Sequence, residues 1–191
     1  MIGVNMNNID AAGDYKRPIP GGYVMRIESV KNIPAKELLE INMDIAEGEH
    51  KGYYADLKER FGFWGSQIRQ SYKEKALPFF KAFLDKVQES NGNVEGLINE
   101  SGDVDETKLA GLLIGAVVGE RQYVGMDGKE KVSLDWFKSR IMPVNDIREG
   151  NFTIPDPVKA DNIQQDNAPK VTDASVSAET FGPVNDGDIP F

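Results

Sequence analysis

Five cations and four aromatic rings are interleaved within residues 58–75. Lys58, Arg60, Arg69, Lys73 and Lys75 outnumber Glu59 and Glu74, and Phe61, Phe63, Trp64 and Tyr72 fall among them. A single nucleic-acid strand offers phosphates to the first kind of side chain and unstacked base faces to the second. The glycine beside Trp64 would let its ring lie flat against a base. Phe61 and Phe63 could as readily be core residues, whereas Trp64 is the ring expected to stack. A second group, Arg121, Tyr123, Lys129, Lys131 and Phe137, falls on what reads as a final hairpin. Alternation there is also what an ordinary barrel requires.

Groups suited to covalent or metal chemistry are sparse. There is no cysteine, so disulfides and thiolate metal sites are excluded, and a single histidine excludes a two-histidine relay within one chain. His50 lies in a polar turn and reads as solvated. Asp103, Asp105 and Glu106 could be imagined as oxygen ligands for a hard cation. Acids directly before Thr107-Lys108-Leu109 also suit a helix start. Asp44, Glu47 and Glu49 straddle a turn, where solvated charge is ordinary. Gly48 and Gly52 lack the Gly-Lys-Ser/Thr ending of a phosphate-cradling loop. No catalytic residue, metal or cofactor is expected.

A chain of 191 residues holds one substantial domain and a tail. Its net charge of −9 is unevenly spread: residues 151–191 carry two lysines against seven acids, net −5, which leaves −4 for residues 1–150. Overall acidity is therefore a weak objection to nucleic acid, because a local basic face is what matters. No apolar run approaches a membrane span, and no basic stretch followed by an apolar one opens the chain. A soluble cytoplasmic protein is expected.

Hydrophobic spacing predicts the elements that must hold these groups. Residues 23–31 alternate, with Tyr23, Met25 and Ile27 on one face and Arg26 and Glu28 on the other, as in a half-buried strand. Residues 37–46 repeat the pattern: Leu39, Ile41, Met43 and Ile45 inward, Glu40, Asn42 and Asp44 toward water. Residues 53–60 are expected as a third strand. Ser71-x-x-Glu74 fits a capping box opening a short helix, and Pro78 fits the first turn of a second, reaching Gln88. Phe79, Phe80, Phe83, Leu84 and Val87 recur there at core spacing, and Asn91-Gly92-Asn93 ends it. An acidic surface loop over 94–106 follows.

Residues 112–124 form a fourth strand punctuated by Gly115 and Gly119, and 125–128 form a hairpin turn. The returning strand, 130–141, puts Val132, Leu134 and Trp136 on a core face and Lys131, Ser133, Asp135 and Phe137 opposite. Residues 144–150 close the domain. Beyond them apolar periodicity ends and Pro155, Pro157, Pro169 and Pro183 recur among polar residues. Such a segment buries too little apolar surface to offset its ordering entropy, so 156–191 read as a disordered tether. The expected division is an arm at 1–17, a domain at 18–150 and a tail at 151–191.

Strand, strand, strand, helix, strand, strand is the order of a five-stranded OB barrel, and glycines within strands permit the coiling that closure needs. An SH3-like barrel or an α+β sheet fits the same order. The expectation is a mainly β, OB-fold-like barrel with a helix between strands 3 and 4, followed by a disordered acidic tail.

The chain ends in Asp186, Gly187, Asp188, Ile189, Pro190 and Phe191. Phe191 joins an aromatic ring to a main-chain carboxylate ionised at pH 7. Pro190 biases Ile189 toward an extended form, and the two acids would steer this anchor to a basic pocket. This ending resembles the acidic Ile-Pro-Phe tip of bacterial single-stranded-DNA-binding (SSB) proteins, although Asn185 and Gly187 stand where further acids are usual. The resemblance implies an OB domain holding DNA and a tip recruiting replication and repair enzymes.

The domain resembles a family from phages of Gram-positive bacteria, some of whose members are described as single-stranded-DNA-binding. The likeness lies in Pro20-Gly21-Gly22-Tyr23-Val24, Ile45-Ala46-Glu47-Gly48, Phe63-Trp64-Gly65 and residues 71–80. It implies a role in phage replication or recombination inside an infected bacterium. The strand opening typical of bacterial SSB is missing, so tetramer formation is not carried over, and assembly into a homo-oligomer is left open. The expected function is sequence-independent coating of single-stranded DNA without catalysis. A metal-dependent nuclease carrying an SSB-like tip and a protein-binding adaptor are the alternatives.

Overall fold

A computed structural model describes residues 16–125 and 128–159. Two long strands, β1 (Gly21–Ile33) and β2 (Leu38–Ile45), pair antiparallel. With β3 (Gln67–Ser71), β4 (Leu113–Val118) and β7 (Arg140–Met142) they form one antiparallel sheet in the order β3-β2-β1-β4-β7. Between β4 and β7 the chain forms a separate two-stranded ribbon, β5 (Glu120–Val124) and β6 (Glu130–Leu134). The fold is mainly β, as expected, and the sheet curls into a half-barrel. Its curl brings β3, at one edge, against the 3-10 turn at Trp136–Lys138, which leads into β7 at the other edge.

Period-two spacing fills the hollow of the sheet. Met25 and Ile27, then Leu39, Ile41, Met43 and Ile45, then Ile68, then Ile114, Ala116 and Val118 are all buried on one side. Each large aliphatic side chain so buried contributes roughly 1.5–3 kcal/mol. Helix α2 (Leu77–Asn91) lies between the third and fourth strands of the sheet and covers this side with Phe80, Phe83, Leu84 and Val87. Pro78 sits in its first turn, and Gly92 ends it at φ 78°. The Asn91 amide then donates to the Leu113 carbonyl (2.7 Å) and accepts from its N–H (2.8 Å), tying the helix end to β4. On the sheet's other side, Val24 and Val117 meet Val144 and Ile147 of helix α3 (Val144–Glu149). Gly115 permits this approach: a Cβ there would lie 2.6 Å from Ile147 Cγ1 and 2.8 Å from two carbonyl oxygens.

Several expectations are corrected. Residues 53–60 are not a strand; Tyr53–Phe61 is helix α1. Gly52 and Gly62, both left-handed (φ 81° and 78°), bracket it, and Asp56 and Arg60 pair one turn apart at 3.0 Å. The third strand is instead β3, whose one deeply buried residue, Ile68, is too weak an apolar signal to stand out. Ser71 does not cap a helix: its hydroxyl donates to the Glu37 carbonyl (3.3 Å), and the 3-10 turn at Glu74–Ala76 has no side-chain cap.

Asp44 does not face water. It is 1% exposed because α1 starts on top of it, and its Oδ1 accepts the N–H groups of Ile45 (2.8 Å) and Tyr54 (2.9 Å). Phe79 is 58% exposed rather than core. The expected strand 112–124 divides at Gly119, and 130–141 divides into β6, the 3-10 turn and β7. Trp136 is buried as expected. Asp135 is buried too, whereas Val132 is exposed because the ribbon has left the sheet.

Residues 151–159, read from composition as the start of the tail, run back over the domain. The Phe152 ring covers Gly22, where a Cβ would be 2.6 Å away, and packs with Val24 and Val117. Val158 donates to the Glu120 carbonyl (2.9 Å) and accepts from Gln122 N–H (3.0 Å), pairing parallel to β5. Most of the arm and residues 160–191, the tip included, lie outside the described residues.

Candidate nucleic-acid interface

The register of β2 and β3 sets two polar pairs on the outer side of the sheet: Glu40 opposite Arg69, and Asn42 opposite Gln67. They alternate with Ile41 and Ile68, which point inward. The chain reaches β3 from α1 through a tight loop. Gly62 turns the backbone so that Phe61 and Phe63 both stand exposed, their rings 6.4 Å apart. Trp64 is half-buried against the core, with Lys58 Nζ 4.9 Å from its ring centroid. Gly65 lets the loop lie on Tyr54, whose ring would be 3.0 Å from a Cβ there.

The opposite wall comes from the 3-10 turn before β7. Trp136 is pinned inside: its indole N–H donates to the Tyr54 hydroxyl at 2.7 Å, and the two rings meet edge-on at 5.5 Å. Burial holds the Tyr54 hydroxyl well above its ordinary pKa, so it stays protonated in that pair. With Trp136 fixed inward, its neighbour Phe137 is turned out. The Arg69 guanidinium lies 5.4 Å from the Phe137 ring centroid, within cation–π range. Between the walls is a cleft of about 340 Å³. Phe63, Trp64, Leu134 and Phe137 make its sides, and Asn42 and Gln67 contribute polar groups from the sheet.

Of the residues singled out in the sequence, Phe63, Trp64 and Phe137 line this cleft; Lys58 covers Trp64, Phe61 neighbours Phe63, and Arg69 reaches Phe137. Arg60 lies in the last turn of α1 and pairs with Asp56. Tyr72 is turned inward: its hydroxyl donates to Asn32 Oδ1 at 2.8 Å and its ring lies 6.3 Å from Phe80. Lys73 and Lys75 are exposed past the far end of β3, beyond Ser71, whereas the cleft is at its Gln67 end.

Pairing in the ribbon puts Arg121 opposite Ser133 and Tyr123 opposite Lys131 on one face. Leu134, which lines the cleft, shares the other face with Glu120, Gln122 and Val132. Arg121, Tyr123 and Lys131 of the second group therefore do not join the cleft, whereas Phe137 of that group lines it. Asn42, Gln67 and Leu134 are cleft residues that sequence reasoning missed. Asn42 was visible as an outward position of its strand, but only folding sets it beside Gln67 and Phe137.

The acids weighed as cation ligands have other partners. Asp103 pairs with Asn99, and Asp105 accepts the Thr107 N–H at 3.1 Å, the helix-start role its position suggested. Among the described residues, no three His, Cys, Asp or Glu side chains gather as a metal-binding group. No helix there is long and apolar enough to cross a membrane. No protein-family model matches the chain, and no curated protein matches it.

Proposed function

We propose that this protein binds single-stranded DNA along the outer side of β2 and β3, without catalysing a reaction. The observation that carries this reading is the pair Phe63 and Phe137. These rings are 57% and 60% exposed and stand at one cleft, with a guanidinium over the second. Two exposed rings at one cleft, one of them under a guanidinium, offer faces on which unstacked bases can stack and a cation for a phosphate. The strand order, the helix after β3 and the approach of the two sheet edges support the finer reading of an OB barrel.

The acidic Ile-Pro-Phe ending supports recruitment of replication, repair or recombination enzymes of host or phage. The likeness of residues 18–150 to phage proteins supports a place in phage DNA metabolism, in the cytoplasm of an infected bacterium. Anisotropy of a labelled oligothymidine tests the reading. Single strands should bind more tightly than duplex at equal salt, with a salt slope of about −0.7 per phosphate neutralised. Equal duplex binding or a flat salt response would sink it. Magnesium-dependent shortening of the labelled strand would favour a nuclease, and no binding at all an adaptor.

A further inference from the structure

Three polar side chains stand in a row across β1, β2 and β3, because Ser29 lies opposite Asn42 and Asn42 opposite Gln67. Gln67 Nε2 donates to Asn42 Oδ1 at 3.1 Å, and Asn42 Nδ2 donates to Ser29 Oγ at 3.1 Å. The row ends on a hydroxyl, which donates as well as accepts, and Ser29 is exposed, so its proton turns freely. Turning both amides over together keeps each bond and reverses its direction: Ser29 then donates to Asn42, and Asn42 to Gln67. The row thus holds the Gln67 amide in place without fixing which end of it donates. In either state Gln67 keeps a donor and an acceptor unused, in opposite order, at the cleft it lines with Phe63, Trp64 and Phe137.

The edges of the four bases fall into two matching classes. Adenine and cytosine present an amino donor beside a ring acceptor; guanine and thymine present a carbonyl acceptor beside a ring N–H. An amide held one way round bonds one class with both atoms and opposes the other, whereas an amide that can turn bonds either. We propose that the cleft seats one unstacked base against Gln67, and that the Ser29–Asn42–Gln67 row reverses to suit its edge. This rests on the single-stranded-DNA reading above. Polar groups can then line a cleft that binds without sequence preference, because none is left unpaired whichever base enters. The space, about 340 Å³, lies at the lower end of small-ligand pockets, suited to one base rather than a stack. Asn42 and Ser29 act as positioning residues, through Gln67.

The test locks the row. Asn42→Asp leaves only acceptors at its middle, so Ser29 and Gln67 must both donate to it and the Gln67 amide keeps one orientation. Affinities are measured for deoxy-oligomers of adenine, cytosine, thymine and hypoxanthine, of one length and at one salt, with the full chain and its variants. Hypoxanthine keeps guanine's carbonyl and ring N–H and avoids four-stranded guanine assemblies. With the wild type, the mean affinities of the adenine–cytosine and thymine–hypoxanthine classes should agree within about twofold. Gln67→Ala should weaken both classes equally. In Asn42→Asp all four oligomers should weaken through the added charge, and the two classes should separate by about tenfold, the scale of one bidentate base contact. Adding Gln67→Ala to that variant should close the gap. Stacking divides purines from pyrimidines, which cuts across these classes, so it cannot imitate the split. A tenfold class split in the wild type, no loss in Gln67→Ala, or no split in Asn42→Asp would overturn the reversible site while leaving DNA binding intact. Failure of every oligomer to bind the wild type would overturn the DNA reading itself, and this inference with it.

Discussion

Arg69 and Phe137 meet across the two ends of the curled sheet. The guanidinium carbon lies 5.4 Å from the ring centroid, while Nη2 of the same arginine is 3.1 Å from Glu40 Oε1. Sequence separates them by about half of the domain; the fold sets them together at the mouth of the cleft. A planar guanidinium can stack on a ring and still direct N–H groups outward, which a lysine ammonium cannot. Arg69 and Phe137 are exposed and Glu40 is half-buried, so the contacts stabilise the fold little: roughly 0.5–1 kcal/mol for the stacking and 0–1 for the ion pair.

Arg69→Ala should therefore weaken single-strand binding and reduce the magnitude of the salt slope by about 0.7, the value of one phosphate contact. Glu40→Gln should act in reverse, because it removes the carboxylate competing for the same guanidinium, and strengthen binding by about twofold. Titrations at several salt concentrations measure both. Unchanged slopes in both variants would show that Arg69 does not touch the backbone of the strand.

Phe63→Ala and Phe137→Ala should each cost about 1–3 kcal/mol of binding with little change in melting temperature, since both rings are exposed. Trp64→Ala should lower binding and stability together, because its half-buried ring packs on the core. A thermal melt beside each titration separates the two kinds of loss.

Tyr54→Phe keeps the ring and removes the acceptor of the buried Trp136 N–H, at a cost of about 1–3 kcal/mol. The same hydroxyl sets an alkaline limit. Burial raises its folded pKa above the unfolded value near 10, so only the unfolded chain loses this proton easily. The stability it adds is complete below about pH 10 and is lost as pH rises beyond that. The slope is at most about 1.4 kcal/mol per pH unit for one such group. Tyr23 and Tyr53 are shifted the same way by burial and add to it. Urea melts between pH 8 and 11 should show a decline that Tyr54→Phe makes shallower.

Relative to a chain ending after Lys159, one ending after Gly150 should melt at a lower temperature, because Phe152 and the Val158 pairing are then lost. Gly22→Ala should mimic the second truncation, since its methyl would displace the Phe152 ring. Loss of residues 160–191 should strengthen DNA binding slightly at low salt, as an acidic segment no longer competes for the cations.

Removing Phe191 alone should leave DNA binding intact and abolish retention of a replication or repair enzyme from host lysate. Phe191 supplies the aromatic ring of the anchor, and Pro190 cannot fill an aromatic-sized pocket. Identical retained proteins with and without Phe191 would mean that the ending recruits nothing.

What was legible from residues alone follows physical lines. Strands β1 and β2 and helix α2 carry strong periodicity because one side of each is buried, and their inward residues matched the expectation at Met25, Ile41, Phe83 and Val87. Helix α1 was obscured by adjacent tyrosines, which favour strands when read locally; the glycines at 52 and 62 were the better signal. Asp44 and Phe79 took the reverse of their expected burial because a neighbouring element covers the first and none covers enough of the second. The site divided similarly. Trp64 and Arg69 stood out by local composition, but Asn42, Gln67 and Phe137 become partners only once β2 and β3 pair and the sheet curls.

The Trp136–Tyr54 hydrogen bond has a practical optical consequence. The protein has two tryptophans, and the fold gives them separate environments. Trp136, sealed in the core, should emit toward the blue and resist iodide until the chain unfolds. Trp64, at the cleft with one face under Lys58, should emit further to the red and be quenched by iodide and by a bound strand. One emission spectrum, resolved into these two components, thus follows folding and occupancy of the cleft separately, with no added label.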